Sequence, residues 1–86
     1  MSTRRWEMPV LVACKRTGDM HIVATTAEAL AILLNAWPVS NGRAFMEALQ
    51  ICSDVEAGLR TPLEARLSFI SAASEAGVPI EAPAVV

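Results

Sequence analysis

Thr61-Pro62-Leu63-Glu64 spells the start of an α-helix, and Gly77-Val78-Pro79 spells its stop. Thr at the cap can accept an orphan backbone N–H, Pro at the first helical position has a suitable φ, and Glu at the third can reach back to the cap. Gly after the last turn suits a left-handed cap, Val78 can make the usual apolar contact after it, and Pro79 prevents continuation. The spacing predicts a helix over 62–76. At 100° per residue, Leu63, Ala65, Leu67, Phe69, Ile70, Ala72, Ala73 and Ala76 share one broad apolar arc, with Glu64, Ser68, Ser71 and Glu75 opposite. Arg66 falls inside that arc. A guanidinium there needs a partner, such as the Asp54 or Glu28 carboxylate, the carbonyls at the end of helix one or the Trp37 ring, so Arg66 is the candidate polar site of the chain, either structural or anion-binding.

Upstream, Met8 to Arg16 and Met20 to Thr25 are rich in apolar and β-branched residues, and Thr17-Gly18-Asp19 between them has turn chemistry. The pattern predicts a hairpin with Val10, Val12 and Cys14 on one face and Leu11 and Ala13 on the other. Pro9 fits a strand start or edge. Thr25-Thr26-Ala27-Glu28 is a second capping box, opening a helix that runs to about Ala36 and ends at Trp37-Pro38. Its inward side is expected to carry Ala27, Leu30, Leu33, Leu34 and Trp37. The opposite side offers only Glu28 and Asn35 as polar cover, with Ile32 beside them, which makes Ile32 a candidate interface residue. After the Ser40-Asn41-Gly42 loop, Arg43 to Ala57 is amphipathic: Arg43, Glu47, Gln50 and Asp54 form a wet stripe, and Phe45, Ala48, Leu49, Cys52 and Val55 face inward.

The fold class expected is α+β, an N-terminal two-stranded antiparallel β-hairpin followed by three α-helices. Residues 1–7 read as an extension, 8–78 as a single domain and 79–86 as a tail without strand or helix period. Strands are expected at about 8–16 and 20–25, and helices at about 26–36, 43–57 and 62–76.

With those elements placed, a set of dispersed residues can be matched to a family. Trp6-x-x-Pro9-Val10-x-Val12, Trp37-Pro38, Gly42-x-x-Phe45-x-x-Ala48-x-x-x-Cys52, Gly58, Ala65-Arg66-x-x-Phe69-Ile70-x-Ala72-Ala73 and Ala76-Gly77 resemble the small alphaproteobacterial family catalogued as domain of unknown function 982. The resemblance runs from Trp6 to about Ile80. It implies a lineage and no activity. Phe45 stands where the resemblance implies Tyr in much of the family, so no phenol chemistry is expected there.

Eighty-six residues make one domain that would hide only about 60% of its unfolded surface as a monomer. Yet 53% of the residues are hydrophobic and the mean hydropathy is +0.42, more apolar material than one small core covers. A homo-oligomer is expected. Seven Lys and Arg against nine Asp and Glu give a net charge of -2, with no basic face for nucleic acid. The longest uncharged run, Ala29 to Gly42, is too short to span a bilayer. Arg4-Arg5 followed by Leu11-Val12-Ala13-Cys14 imitates a lipoprotein signal, but Glu7 and Pro9 interrupt its apolar middle. A cytoplasmic protein with reduced Cys14 and Cys52 is expected.

The chemical toolkit is thin. One His, no Tyr and no pair of inward carboxylates leave a general acid or base without a neighbour to tune it. A Cys14/His21 pair across the hairpin is the sole enzyme-like arrangement, and opposite faces speak against it. Zinc would need Cys14, Cys52 and His21 to converge without any short-range ligand pair. Gly18, Gly42, Gly58 and Gly77 each punctuate a separate turn, so no phosphate cradle forms. A helix-turn-helix built from the last two helices would carry one cation, Arg66, beside two acids on its recognition helix. The expected function is therefore a non-catalytic, self-associating interaction module without cofactor or metal, meeting its copies through helix one or the hairpin edge. Small-ligand or anion sensing at Arg66 is the alternative, and nucleic-acid regulation a further one. Arg66→Lys should not be conservative under either role of Arg66, because a planar fork becomes a point charge.

Overall fold

The computed structural model describes residues 5–13, 20–35, 37 and 41–81. Among them the elements run β1 (Arg5–Ala13), β2 (Met20–Thr25), α1 (Thr26–Asn35), α2 (Arg43–Glu56), α3 (Pro62–Ala76) and β3 (Ile80–Glu81). The class is α+β, but the sheet has three antiparallel strands in the order β2-β1-β3, where a two-stranded hairpin was expected. Gly77 takes the left-handed cap (φ 69°) and the Val78 N–H closes onto the Ala73 carbonyl, which turns the chain back toward β1. The Ala13 N–H then donates to the Pro79 carbonyl at 3.0 Å, and Ile80 and Glu81 pair with Val12 and Leu11. Two residues are too few for period-two alternation to register, so the segment expected as tail carries a strand.

β1 also begins earlier than position 8. Its register against β2 is regular from Val10 opposite Val23 to Ala13 opposite Met20, then shifts before Arg5 opposite Thr25. Pro9 lies within that irregularity, where its missing N–H removes no ladder bond. The expected strand residues 14–16 and the turn at 17–19 lie outside the described residues. So do Ala36 and Pro38, at which the first helix was expected to end.

Val10, Val12 and Val23 face the helices and join Trp6, Ala29, Leu33, Phe45, Ala48, Cys52, Val55, Phe69 and Val78 in one core. α3 packs most extensively on α2, α1 lies against α2 and β2, and α3 also reaches β1. α1 buries Thr26, Ala29 and Leu33, while Ala27 and Leu34, both expected inside, are exposed. The buried hydrogen bond from Trp6 Nε1 to Thr26 Oγ1 (3.1 Å) fixes the first residue of the helix and so selects that face.

The caps differ in how they are made. α3 has the expected box: the Glu64 N–H donates to Thr61 Oγ1, and the Thr61 N–H donates to Glu64 Oε1 at 2.9 Å. At α1 the Glu28 N–H donates to Thr25 Oγ1, but the Glu28 carboxylate accepts from the Ala24 N–H, one residue beyond the cap. α2 has no side-chain cap of its own, since Gly42 occupies the position with φ 116°. The Glu75 carboxylate on α3 supplies it, accepting from the Ala44 N–H (3.1 and 3.2 Å to its two oxygens) and the Phe45 N–H (3.3 Å). A Cβ at position 42 would collide with Oε2 of Glu75, so glycine is required there by both conformation and space.

Two outcomes follow for stability. Glu75→Ala removes an N-cap and should cost about 1 kcal/mol by urea unfolding, and Gly42→Ala should cost more. In the double variant the collision is gone, so the two losses should sum to more than the combined loss. The Thr61 backbone N–H, aided by Arg60 and the Thr61 hydroxyl, holds the Glu64 carboxyl below its ordinary range. Its contribution is present above the ordinary carboxyl value and is lost as pH falls through the lowered one. The stability gap between the native protein and Glu64→Gln, measured at about pH 7, should therefore shrink by about pH 3.

Candidate functional site

Arg66 is 7% exposed, beside buried Ala65 and Phe69 on α3. The broad arc expected for this helix is split. Ala65, Arg66, Phe69, Ala72 and Ala73 turn into the core, whereas Leu63 and Leu67, expected inside, are 61% and 52% exposed. Small residues let α3 approach α2 closely, and Phe69 is the one large apolar side chain that α3 buries. Arg66 lies at the border of the buried stripe, where its stem can pack and its head is engaged within the chain.

The carboxylates expected to receive it have other duties. Asp54 accepts from Arg60 Nε at 3.1 Å and from Gln50 at 3.0 Å, and Glu28 serves the start of α1. Trp37, the third expected neighbour, packs on Phe69 with ring centres 5.4 Å apart and planes tilted by 52°. Its Nε1 is buried without a hydrogen-bond partner among the described residues.

The remaining candidates separate rather than converge. His21 is exposed on β2, opposite Val12 in the ladder. Cys14, its proposed partner, lies outside the described residues. Cys52 is fully buried on the inner face of α2, and burial, reinforced by the charge of Glu56, pushes its thiol up to about 11. Among the described residues no three His, Cys, Asp or Glu side chains form a metal-sized group. Ile32 is half-buried and packs on the core.

What the structure does bring together is apolar surface. On the sheet face away from the helices, Leu11 pairs with Ile22 and Ala13 with Met20, and Ile22 and Met20 are 64% and 49% exposed on β2. On α3, Leu63 and Leu67 stand one turn apart. The period-two reading already placed Leu11 and Ala13 on the second sheet face. No sequence signal told which half of the α3 arc would be covered.

The Cys52 thiol should resist modification in the folded protein. In a Cys14→Ser background, a disulfide reagent at about pH 8 should leave it intact until denaturant is added, when one equivalent should react.

Comparison with known proteins agrees with this geometry. The NMR structure of Agrobacterium tumefaciens protein Atu1219 superposes with a TM-score of 0.76 at 29% identity, covering 95% of this chain and 81% of that one. No curated protein matches the chain. Among the described residues no helix is long and apolar enough to cross a membrane. The model of the family described as "Protein of unknown function (DUF982)" matches residues 8–80, nearly the whole folded region, and the chain belongs to that family.

Proposed function

We propose that this protein is a small non-catalytic interaction module of the cytoplasm that self-associates through the β2 edge of its sheet, beside which no further strand lies among the described residues. The observation that carries the reading is the character of β2. It ends the strand order, its register is regular from Met20 to Val23, and Met-His-Ile-Val-Ala-Thr holds neither a charged residue nor a proline. Monomeric proteins ordinarily blunt such an edge with charge, proline or a bulge. A second copy laid antiparallel across a two-fold axis would satisfy the edge and extend the sheet through both molecules.

The route through helix one has less support, because Ile32 packs against the core and Leu34 is the one large apolar side chain exposed among the described residues of α1. Anion sensing at Arg66 stands second. Burial of the guanidinium and its engagement within the chain support a structural role for it instead.

Native mass spectrometry of the purified protein tests the proposal. Masses at integer multiples of the chain above one copy are expected, and Val23→Pro or Ile22→Lys should shift them downward while the exposed Ile22→Lys variant keeps its thermal unfolding. A single-copy mass at every concentration up to about 100 μM would sink the idea.

A further inference from the structure

The two outer strands of the sheet end it differently. β3 is two residues long and lies in sequence between Pro79 and Pro83, neither of which has an N–H to offer. β2 is six residues long, and the ladder determines which of its peptide groups face outward. In an antiparallel strand the N–H and C=O of one residue point to the same side, and successive residues alternate. The Ala13 N–H donates to the Pro79 carbonyl and Leu11 pairs with Glu81, so Ala13 and Leu11 serve β3 while Val10 and Val12 serve β2. Their partners Val23 and His21 therefore turn to β1, and Met20, Ile22 and Ala24 turn their peptide groups outward. One of those outward donors is already taken. Glu28, in the first turn of α1, folds its carboxylate back over the edge and accepts from the Ala24 N–H at 2.8 Å.

We propose that Glu28 fixes the register in which a second copy pairs with β2 and so sets the two-fold axis on His21; the inference rests on the self-association reading above. The Glu28 carboxylate oxygen stands where a partner's carbonyl would have to sit to reach the Ala24 N–H, and two acceptors on one donor repel. Symmetric pairings that use Ala24 are thereby disfavoured. Among them is the register with Ile22 opposite its own copy and Met20 opposite the partner's Ala24, which would otherwise gain one more hydrogen-bonded pair. An axis on Met20 would set Ile22 against position 18, outside the described strand. With the axis on His21, Met20 faces the partner's Ile22 and Ile22 the partner's Met20, and both outward donors are used without Ala24. The side chains agree with this register. Met20 and Ile22, the exposed apolar residues of β2, become cross-strand neighbours, so the rows Ala13–Met20 and Leu11–Ile22 of one copy each continue into the other row of its mate. Each of the two is the other's complement, which favours a second copy over an unrelated strand.

Disulfide scanning reads the register directly, in a Cys14→Ser background whose remaining native thiol, Cys52, is buried. His21→Cys should form a linked pair on mild oxidation, because directly opposed residues at a non-hydrogen-bonded position lie about 4.5 Å apart between Cα atoms. Met20→Cys and Ile22→Cys should not, since each is offset by two residues from its own copy and lies about 8 Å from it. Adding Glu28→Ala frees the Ala24 N–H and should move the link from His21→Cys to Ile22→Cys. Glu28→Gln keeps an acceptor oxygen and should leave the link at His21→Cys. Residue 28 is exposed, so both variants should keep cooperative thermal unfolding. Native mass of the same proteins separates the two ways to fail. A single copy throughout, with no link, overturns the self-association reading and this inference together. A multiple-copy mass with no link at His21→Cys, with a link at Ile22→Cys while Glu28 is present, or with a link that Glu28→Ala does not move, overturns the register alone and leaves that reading standing.

Discussion

Phe69 is the side chain on which the rest of the molecule is assembled. It is fully buried on α3, with the Trp6 ring of β1 at 5.9 Å and the Trp37 ring at 5.4 Å, both tilted toward it. Tilted aromatic contacts of this kind add directional preference to the large area they bury. Trp6 then passes the constraint on through its hydrogen bond to Thr26, so the strand, the first residue of α1 and the middle of α3 are set relative to one another by one aromatic junction. A core phenylalanine is worth about 3–5 kcal/mol against truncation, a large share of the 5–15 kcal/mol that holds a small domain together.

The α2–α3 pair is fastened differently, at its end rather than its middle. Glu75 gives α2 the cap that Gly42 cannot, and Gly42 gives Glu75 the room to do so. A carboxylate at a helix N-terminus also meets the positive end of the peptide dipoles, so one side chain supplies hydrogen bonds and charge together. The polar contact sits at the rim, where water can complete the solvation of the oxygens. The alanines of α3 keep the dry interior between the helices narrow.

How much of this was legible in sequence depended on how local each cause is. The α3 limits follow from Thr61, Pro62, Glu64 and Gly77, all within a turn of the ends they set, and the α2 face of Phe45, Ala48, Cys52 and Val55 follows from period alone. β3 was not legible because its reason is the carbonyl of Pro79 meeting the N–H of Ala13, a contact between segments far apart in the chain. Glu75 looked like an ordinary solvated acid for the same reason, since its donors are 30 and 31 residues away. The outward turn of Leu63 and Leu67 was hidden by the breadth of the arc: a wheel tells which residues are neighbours, not which neighbours meet α2. Arg66 could be singled out as odd, and its burial follows, but the carboxylates nearest in expectation are held by Arg60, Gln50 and Ala24.

β1 takes one neighbour from the next segment of chain and the other from beyond all three helices. The β1–β2 pairing needs only a short loop to close, whereas β3 can dock only after α3 has ended at Gly77 and Val78 has turned the chain back. Closing β3 onto β1 therefore costs more loop entropy than closing β2 onto it. In the folded molecule the same asymmetry runs in reverse. The two-residue strand has few bonds to lose and opens first, which would expose the far edge of β1 while the hairpin and helices remain intact.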